Sequence, residues 1–95
     1  MEFEWDEAKS DPCLARRGFD FAFAAEVLAD PPLLVEVDDR RDHGELRLVA
    51  VGRITDLHFT VVFTPRAAKL RIISARRASR KEIARYGIGQ RQADA

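Results

Sequence analysis

At 95 residues, 46% apolar and 34% charged, the chain has room for one domain with a modest core, and its composition argues against disorder. The formal charge is zero but split: residues 1–65 carry 14 acidic and 7 basic side chains, residues 66–91 one acidic and nine basic, which predicts two faces of opposite sign, the basic one suited to phosphate. The single cysteine, Cys13, excludes an intramolecular disulfide; no metal or cofactor site is expected, no apolar run nears the roughly 20 residues of a membrane span, and the acidic opening MEFEWDEAKS is unlike a secretory signal, so a cytoplasmic location is expected.

Asp6 predicts a helix N-cap, and Gly18, after Arg16 and Arg17, predicts the matching C-terminal stop. The first helix should run over about 7–17, irregular near Pro12, whose ring removes an interior hydrogen bond. In DFAFAAEVLADPP, Asp20 caps a second short helix, Phe21, Ala24, Ala25 and Leu28 make an apolar stripe at helical spacing, and Pro31 and Pro32 stop it. Phe3, Trp5, Phe19, Phe21 and Phe23 read as core rather than as a base-stacking platform.

Strand patterns follow. LLVEV (33–37) leads into a polar loop, DDRRDHG. ELRLVAVGR (45–53) and LHFTVVFT (57–64), joined by ITD, read as a hairpin, and KLRIISA (69–75) follows the turn PRAA. In SRKEIARYG, Ser79 and Glu82 form a capping box for a last helix that Gly87 should close. The expected fold is α+β: two N-terminal helices, an antiparallel sheet of about four strands and a C-terminal helix, in a single domain over 1–87 with a flexible tail at 88–95.

Strict alternation assigns Leu46, Leu48, Ala50, Phe59, Val61, Phe63, Leu70 and Ile72 to a core face that the helices should cover, and Ser74 shares their parity. The opposite face receives Glu45, Arg47, Arg53, His58, Thr60, Thr64, Lys69 and Arg71, with Arg66, Arg76 and Arg77 at the strand ends. Arginine's planar fork suits phosphate, so this face fits RNA or DNA. A solvated sheet face built for solubility alone fits the same pattern.

Four segments in order resemble one family: FEWDEAK (3–9), RRGFDFAFAAEVLADP (16–31), HGELRLVAVGR (43–53) and RIISARRASRKEIARY (71–86). Together they resemble the BrnT toxins of bacterial type II toxin–antitoxin systems, which share the RelE-like ribonuclease fold. The chain departs from that pattern at Pro12, at Cys13 in place of Asn, and at Arg16-Arg17 in place of Lys-His. The resemblance implies an endoribonuclease toxin that inhibits translation. It further implies neutralisation by a cognate BrnA-like ribbon-helix-helix antitoxin in a hetero-oligomer, with DNA met only through that antitoxin.

Metal-independent RNA cleavage uses the ribose 2′-hydroxyl as nucleophile and needs a base, an acid and positive charge around the phosphate. The candidate catalytic residues are Arg76, Glu45, Arg47, His58 and Tyr86; the candidate RNA-binding residues are Arg53, Arg66, Lys69, Arg71, Arg77 and Arg80. His43, in the polar loop, is a further possible base. Glu45 with Arg47 equally fits a surface ion pair, and Tyr86 equally fits packing. The competing function is a non-catalytic nucleic-acid-binding or antitoxin-docking module descended from a toxin.

Overall fold

The computed structural model describes residues 2–29, 33–38 and 45–94. The elements run β1 (Glu2–Trp5), α1 (Glu7–Arg17), α2 (Phe21–Ala29), β2 (Leu34–Val37), β3 (Leu48–Ile54), β4 (Leu57–Arg66), β5 (Lys69–Arg77) and α3 (Arg80–Asp94). Local chemistry accounts for both ends of α1. The Asp6 carboxylate accepts from the Ala8 N–H, and Gly18, at φ 82°, donates its own N–H to Leu14 O. The helix carries Pro12 without interruption. At α2, the Asp20 carboxylate accepts from the Phe23 N–H at 3.0 Å. The proline stop expected at 31–32 and the loop containing His43 lie outside the described residues.

The five strands form one mixed sheet in the order β1-β5-β4-β3-β2, rather than four antiparallel strands. The additional member is β1, which runs parallel to β5 and pairs Glu2 with Lys69 and Glu4 with Arg71. Its four residues carry too little alternation to announce a strand, and its partner lies more than sixty residues away. The two hairpins are tighter than ITD and PRAA imply: pairing continues to Ile54↔Leu57 and Arg66↔Lys69, leaving two-residue turns with Thr55 and Ala67 at positive φ. Conversely, β3 starts only at Leu48, so Glu45, Leu46 and Arg47 precede the strand, and Leu46 is 53% exposed instead of core-facing.

One irregularity redirects the sheet. Val62 pairs with Ser74 but Phe63 pairs with Ile72, so Ile73 is an extra residue, a β-bulge. Beyond it the parity of β5 is reversed. Ala75 joins the core, whereas Ser74 and Arg76 turn to the opposite face, contrary to the strict alternation that placed Ser74 with Ile72.

The core lies between α1, α2 and one sheet face: Cys13, Phe21, Ala24, Val27 and Leu28 pack on Ala50, Phe59, Val61, Phe63, Ile72 and Ala75. Phe19, Phe23 and Phe59 form a mutually tilted aromatic trio with centroids 4.9–5.7 Å apart, as core aromatics should. The residues that depart from the family pattern join α1 to β5 past the bulge. Cys13 Sγ and Arg17 Nη1 both donate to Ala75 O, at 3.6 and 2.8 Å, and Pro12 and Arg16 line the adjoining cleft of about 310 Å³.

The third helix does not join the first two. It crosses β2 and β3 on the other face, so the sheet is covered on both sides. Nor does Gly87 end it, since the helix continues to Asp94. No helix among the described residues is long and apolar enough to cross a membrane.

Gly52 marks where α2 and the chain entering β2 press on the sheet: an added Cβ would stand 2.7 Å from Leu33 Cδ2 and 2.9 Å from Val27 Cγ1. Gly52→Ala should therefore destabilise the fold by about 1–3 kcal/mol through overpacking, measured by urea denaturation, although alanine is otherwise the better strand residue.

Candidate functional site

The face beneath α3 carries the polar half of the alternation. The eleven candidate residues divide into two groups on it and around it. At one end, Arg53 and His58 are cross-strand partners, and Arg76 faces Thr60 on the neighbouring strand. Tyr86 of α3 packs edge-on against His58, ring centroids 5.3 Å apart and planes at 75°. Arg77 stands over Phe59 at 5.6 Å, and Arg80 opens α3, exposed. At the other end are Glu45 and Arg47, ahead of β3, with Arg66, Lys69 and Arg71 around the second hairpin turn. His58 and Thr64 mark the two ends along β4, and six residue steps of strand separate them by about 20 Å. Glu45 and Arg47 thus lie far along the sheet from His58, whereas Arg76 lines a pocket with Val49 and with Asp38, whose N–H is bonded to Arg47 O.

Part of the charge split is paired off within the fold. Lys69 lies 3.8 Å from Glu2, Arg71 3.8 Å from Glu4, and Arg85 pairs with Glu36, so acids of the first half meet bases of the last part of the chain. Arg47 Nε lies 3.8 Å from Glu45 Oε1, the surface-type pair that their spacing allowed. Solvent-facing pairs such as those of Lys69 and Arg85 are each worth about 0–1 kcal/mol and leave the bases available to a stronger anion, whereas Arg47 Nε is buried and makes no hydrogen bond. Arg53, Arg66, Arg77 and Arg80 are exposed.

Arg76 is held differently. Its Nη1 and Nη2 donate to Glu82 Oε1 and Oε2 at 2.7 and 2.9 Å, an end-on bidentate pair, and Nη1 also reaches Arg77 O at 3.3 Å. Glu82 is simultaneously the far half of the capping box. It accepts from the Ser79 N–H at 2.8 Å while its own N–H donates to Ser79 Oγ at 3.2 Å. The hydrogen bond from Arg76, assisted by those from Ser79, holds the Glu82 carboxyl at about 2, below its ordinary 4.5, against the opposing effect of burial.

Two features of this end were not visible in the residue pattern. The capping box was legible from the spacing of Ser79 and Glu82, but the grip of Glu82 on Arg76 requires α3 to fold back over the end of β5. The Ala78 N–H, bonded to His58 O at 3.0 Å, fixes that turn. Thr60 is fully buried beside His58 and opposite Arg76, and its hydroxyl has no hydrogen-bond partner in the structure. Such a group is uncommon in a packed interior.

A sequence model of the family described as ribonuclease toxin, BrnT, of type II toxin–antitoxin system matches residues 5–82. The chain belongs to this family. No curated protein matches it in sequence. The BrnT match takes in Arg53, His58, Arg76 and Glu82 and stops before Tyr86. It brings with it the toxin class, ribonuclease activity at the level of the family and, from the type II system, an antitoxin partner.

Because Glu82 titrates lower in the folded chain than when unfolded, it stabilises the fold above pH about 4.5, and that contribution is lost as pH falls toward 2. Glu82→Gln keeps an acceptor for the Ser79 N–H but loses the charge on Arg76. Its unfolding free energy should fall short of wild type by about 1 kcal/mol at pH 6, and the gap should close between pH 5 and pH 2, as read by denaturant titrations across that range.

Proposed function

We propose that this BrnT chain is an endoribonuclease that cleaves RNA without a metal, through attack of the ribose 2′-hydroxyl on the adjacent phosphorus, and so inhibits translation. The observation that carries this reading is that Arg53, His58 and Arg76 stand on three adjacent strands near one end of the sheet face beneath α3. His58 is the one imidazole among the described residues and takes the 2′-hydroxyl proton; histidine is suited to that work near neutral pH. Arg76 on β5 and Arg53 on β3, on either side of the His58 strand, meet the charge that builds on the phosphate as the 2′-oxygen bonds to phosphorus. The P–O5′ bond then breaks, and the departing 5′-oxygen takes a proton from water. Tyr86 is only 7% exposed, so its ring acts by fixing the imidazole rather than by reaching the substrate. The group at the other end, Arg66, Lys69 and Arg71 with Arg47 nearby, tracks the RNA backbone away from the scissile bond.

The partner in this reading is a BrnA-like ribbon-helix-helix antitoxin, which holds the toxin in a hetero-oligomer in the cytoplasm and carries it to DNA. A second reading, a binding or antitoxin-docking module that no longer cuts, is favoured by one observation: Glu82 already occupies one edge of Arg76.

Cleavage of an end-labelled RNA by the purified protein, with and without ribosomes, separates the two. The expected products end in 2′,3′-cyclic phosphate, the all-deoxy oligomer stays intact, and EDTA leaves the rate unchanged. Arg76→Ala should cost on the order of 10²–10³ in rate and His58→Ala on the order of 10²–10⁴. Absence of cutting by folded protein under both conditions would leave the binding module. Binding should behave differently from cutting. Arg66→Ala and Lys69→Ala should each lower the salt slope of RNA affinity by about 1, measured by fluorescence anisotropy, without changing the cleavage rate of bound RNA.

A further inference from the structure

We infer that Glu82 is the positioning residue that aims Arg76 at the scissile phosphate, an inference that rests on the ribonuclease reading. A guanidinium is a planar fork with five N–H donors along its edges. Glu82 takes the end-on edge, one hydrogen from each Nη, and Arg77 O takes the second hydrogen of Nη1. These bonds leave a second edge, Nε–H beside the remaining hydrogen of Nη2. That edge has the same spacing as the first and matches two phosphate oxygens equally well. Glu82 therefore grips Arg76 without using up its capacity to bind phosphate.

The environment supports this division. The Glu82 side chain is 16% exposed and that of Arg76 39%, so the carboxylate is the inner member of the pair and the guanidinium the outer. Glu82 is itself fixed, because the capping box pins its carboxylate to the Ser79 N–H and its backbone to Ser79 Oγ. Arg76 is fixed at its other end by the β5 register opposite Thr60. A side chain anchored at both ends presents its remaining donors in one orientation, and donors already in place need no reorganisation as charge builds on the phosphate. The opposite possibility, that Glu82 competes with phosphate for Arg76, predicts effects of the opposite sign.

The test combines single-turnover cleavage of a short RNA with anisotropy binding of its all-deoxy analogue. The proteins are wild type, Glu82→Gln, Ser79→Ala, Arg76→Ala and the Arg76→Ala/Glu82→Gln double variant. Positioning predicts that Glu82→Gln slows cleavage about 10- to 100-fold with little change in affinity, and adds nothing once Arg76 is gone. Ser79→Ala, which removes the hydroxyl half of the cap but leaves the Ser79 N–H and Arg76 on the Glu82 carboxylate, should lower the melting temperature and slow cleavage far less than Glu82→Gln does. A Glu82→Gln rate equal to or faster than wild type overturns the inference, as does an equal loss in the Arg76→Ala background. Wild-type protein that binds RNA but never cuts it overturns the ribonuclease reading instead. That outcome differs from failure of the positioning inference alone, which shows as a wild type that cuts and a Glu82→Gln variant that cuts as fast.

Discussion

The extra residue at Ile73 decides which way the end of β5 faces. In a regular strand, Ser74 and Arg76 would continue the row of Leu70 and Ile72 into the helix-covered core, where a guanidinium without a carboxylate would be strongly destabilising. With the bulge, small Ala75 enters the core and Arg76 emerges beside Thr60, on the side of His58. The reversed register also leaves Ala75 O at an edge that β1, ending at Trp5, no longer covers. Arg17 and Cys13 of α1 satisfy that carbonyl. A single inserted residue thus sets the approach of α1, the placement of Arg76 and the face over which α3 passes.

The second organising interaction is the Ser79–Glu82–Arg76 chain. A capping box by itself satisfies two orphan N–H groups at a helix start. Here the same carboxylate also binds a strand residue, so the beginning of α3 and the end of β5 form one unit. Tyr86, one turn further along α3, then falls on His58. The ion pair between Arg85 and Glu36 holds the helix to β2 from its other flank. Helix and site are therefore built by the same contacts, and changes meant to probe catalysis at Arg76 also touch the seating of α3. Separating those effects requires variants that keep the cap while altering the charge.

The opposed charges of the two parts of the chain, which suggested two faces of opposite sign, resolve in part into contacts between them: Lys69, Arg71 and Arg85 meet Glu2, Glu4 and Glu36. Glu2 and Glu4 lie along Lys69 and Arg71 because β1 and β5 are parallel and in register. Basic side chains reach solvent in both parts of the described chain, among them Lys9, Arg16, Arg53, Arg66, Arg77, Arg80 and Lys81. Five strands in place of four follow from the same contact. An edge strand of four residues is stabilised by its distant neighbour rather than by its own pattern.

Local chemistry sufficed for whatever depends on a few adjacent residues. Asp6 and Gly18 bound α1, Asp20 starts α2, Ser79 and Glu82 start α3, and alternation marks β3, β4 and β5, because caps, turns and strand faces are decided within about one turn or one hairpin. The family resemblance was legible in the same way, from short motifs in order. Tertiary structure alone decided the pairing of β1 with β5, the bulge at Ile73, the side on which α3 lies, and the division of the candidate residues between two ends of the sheet. Each depends on a contact between segments far apart in the chain. A one-residue change of register reverses every side chain beyond it, while the local hydrophobic pattern that would announce it stays almost the same.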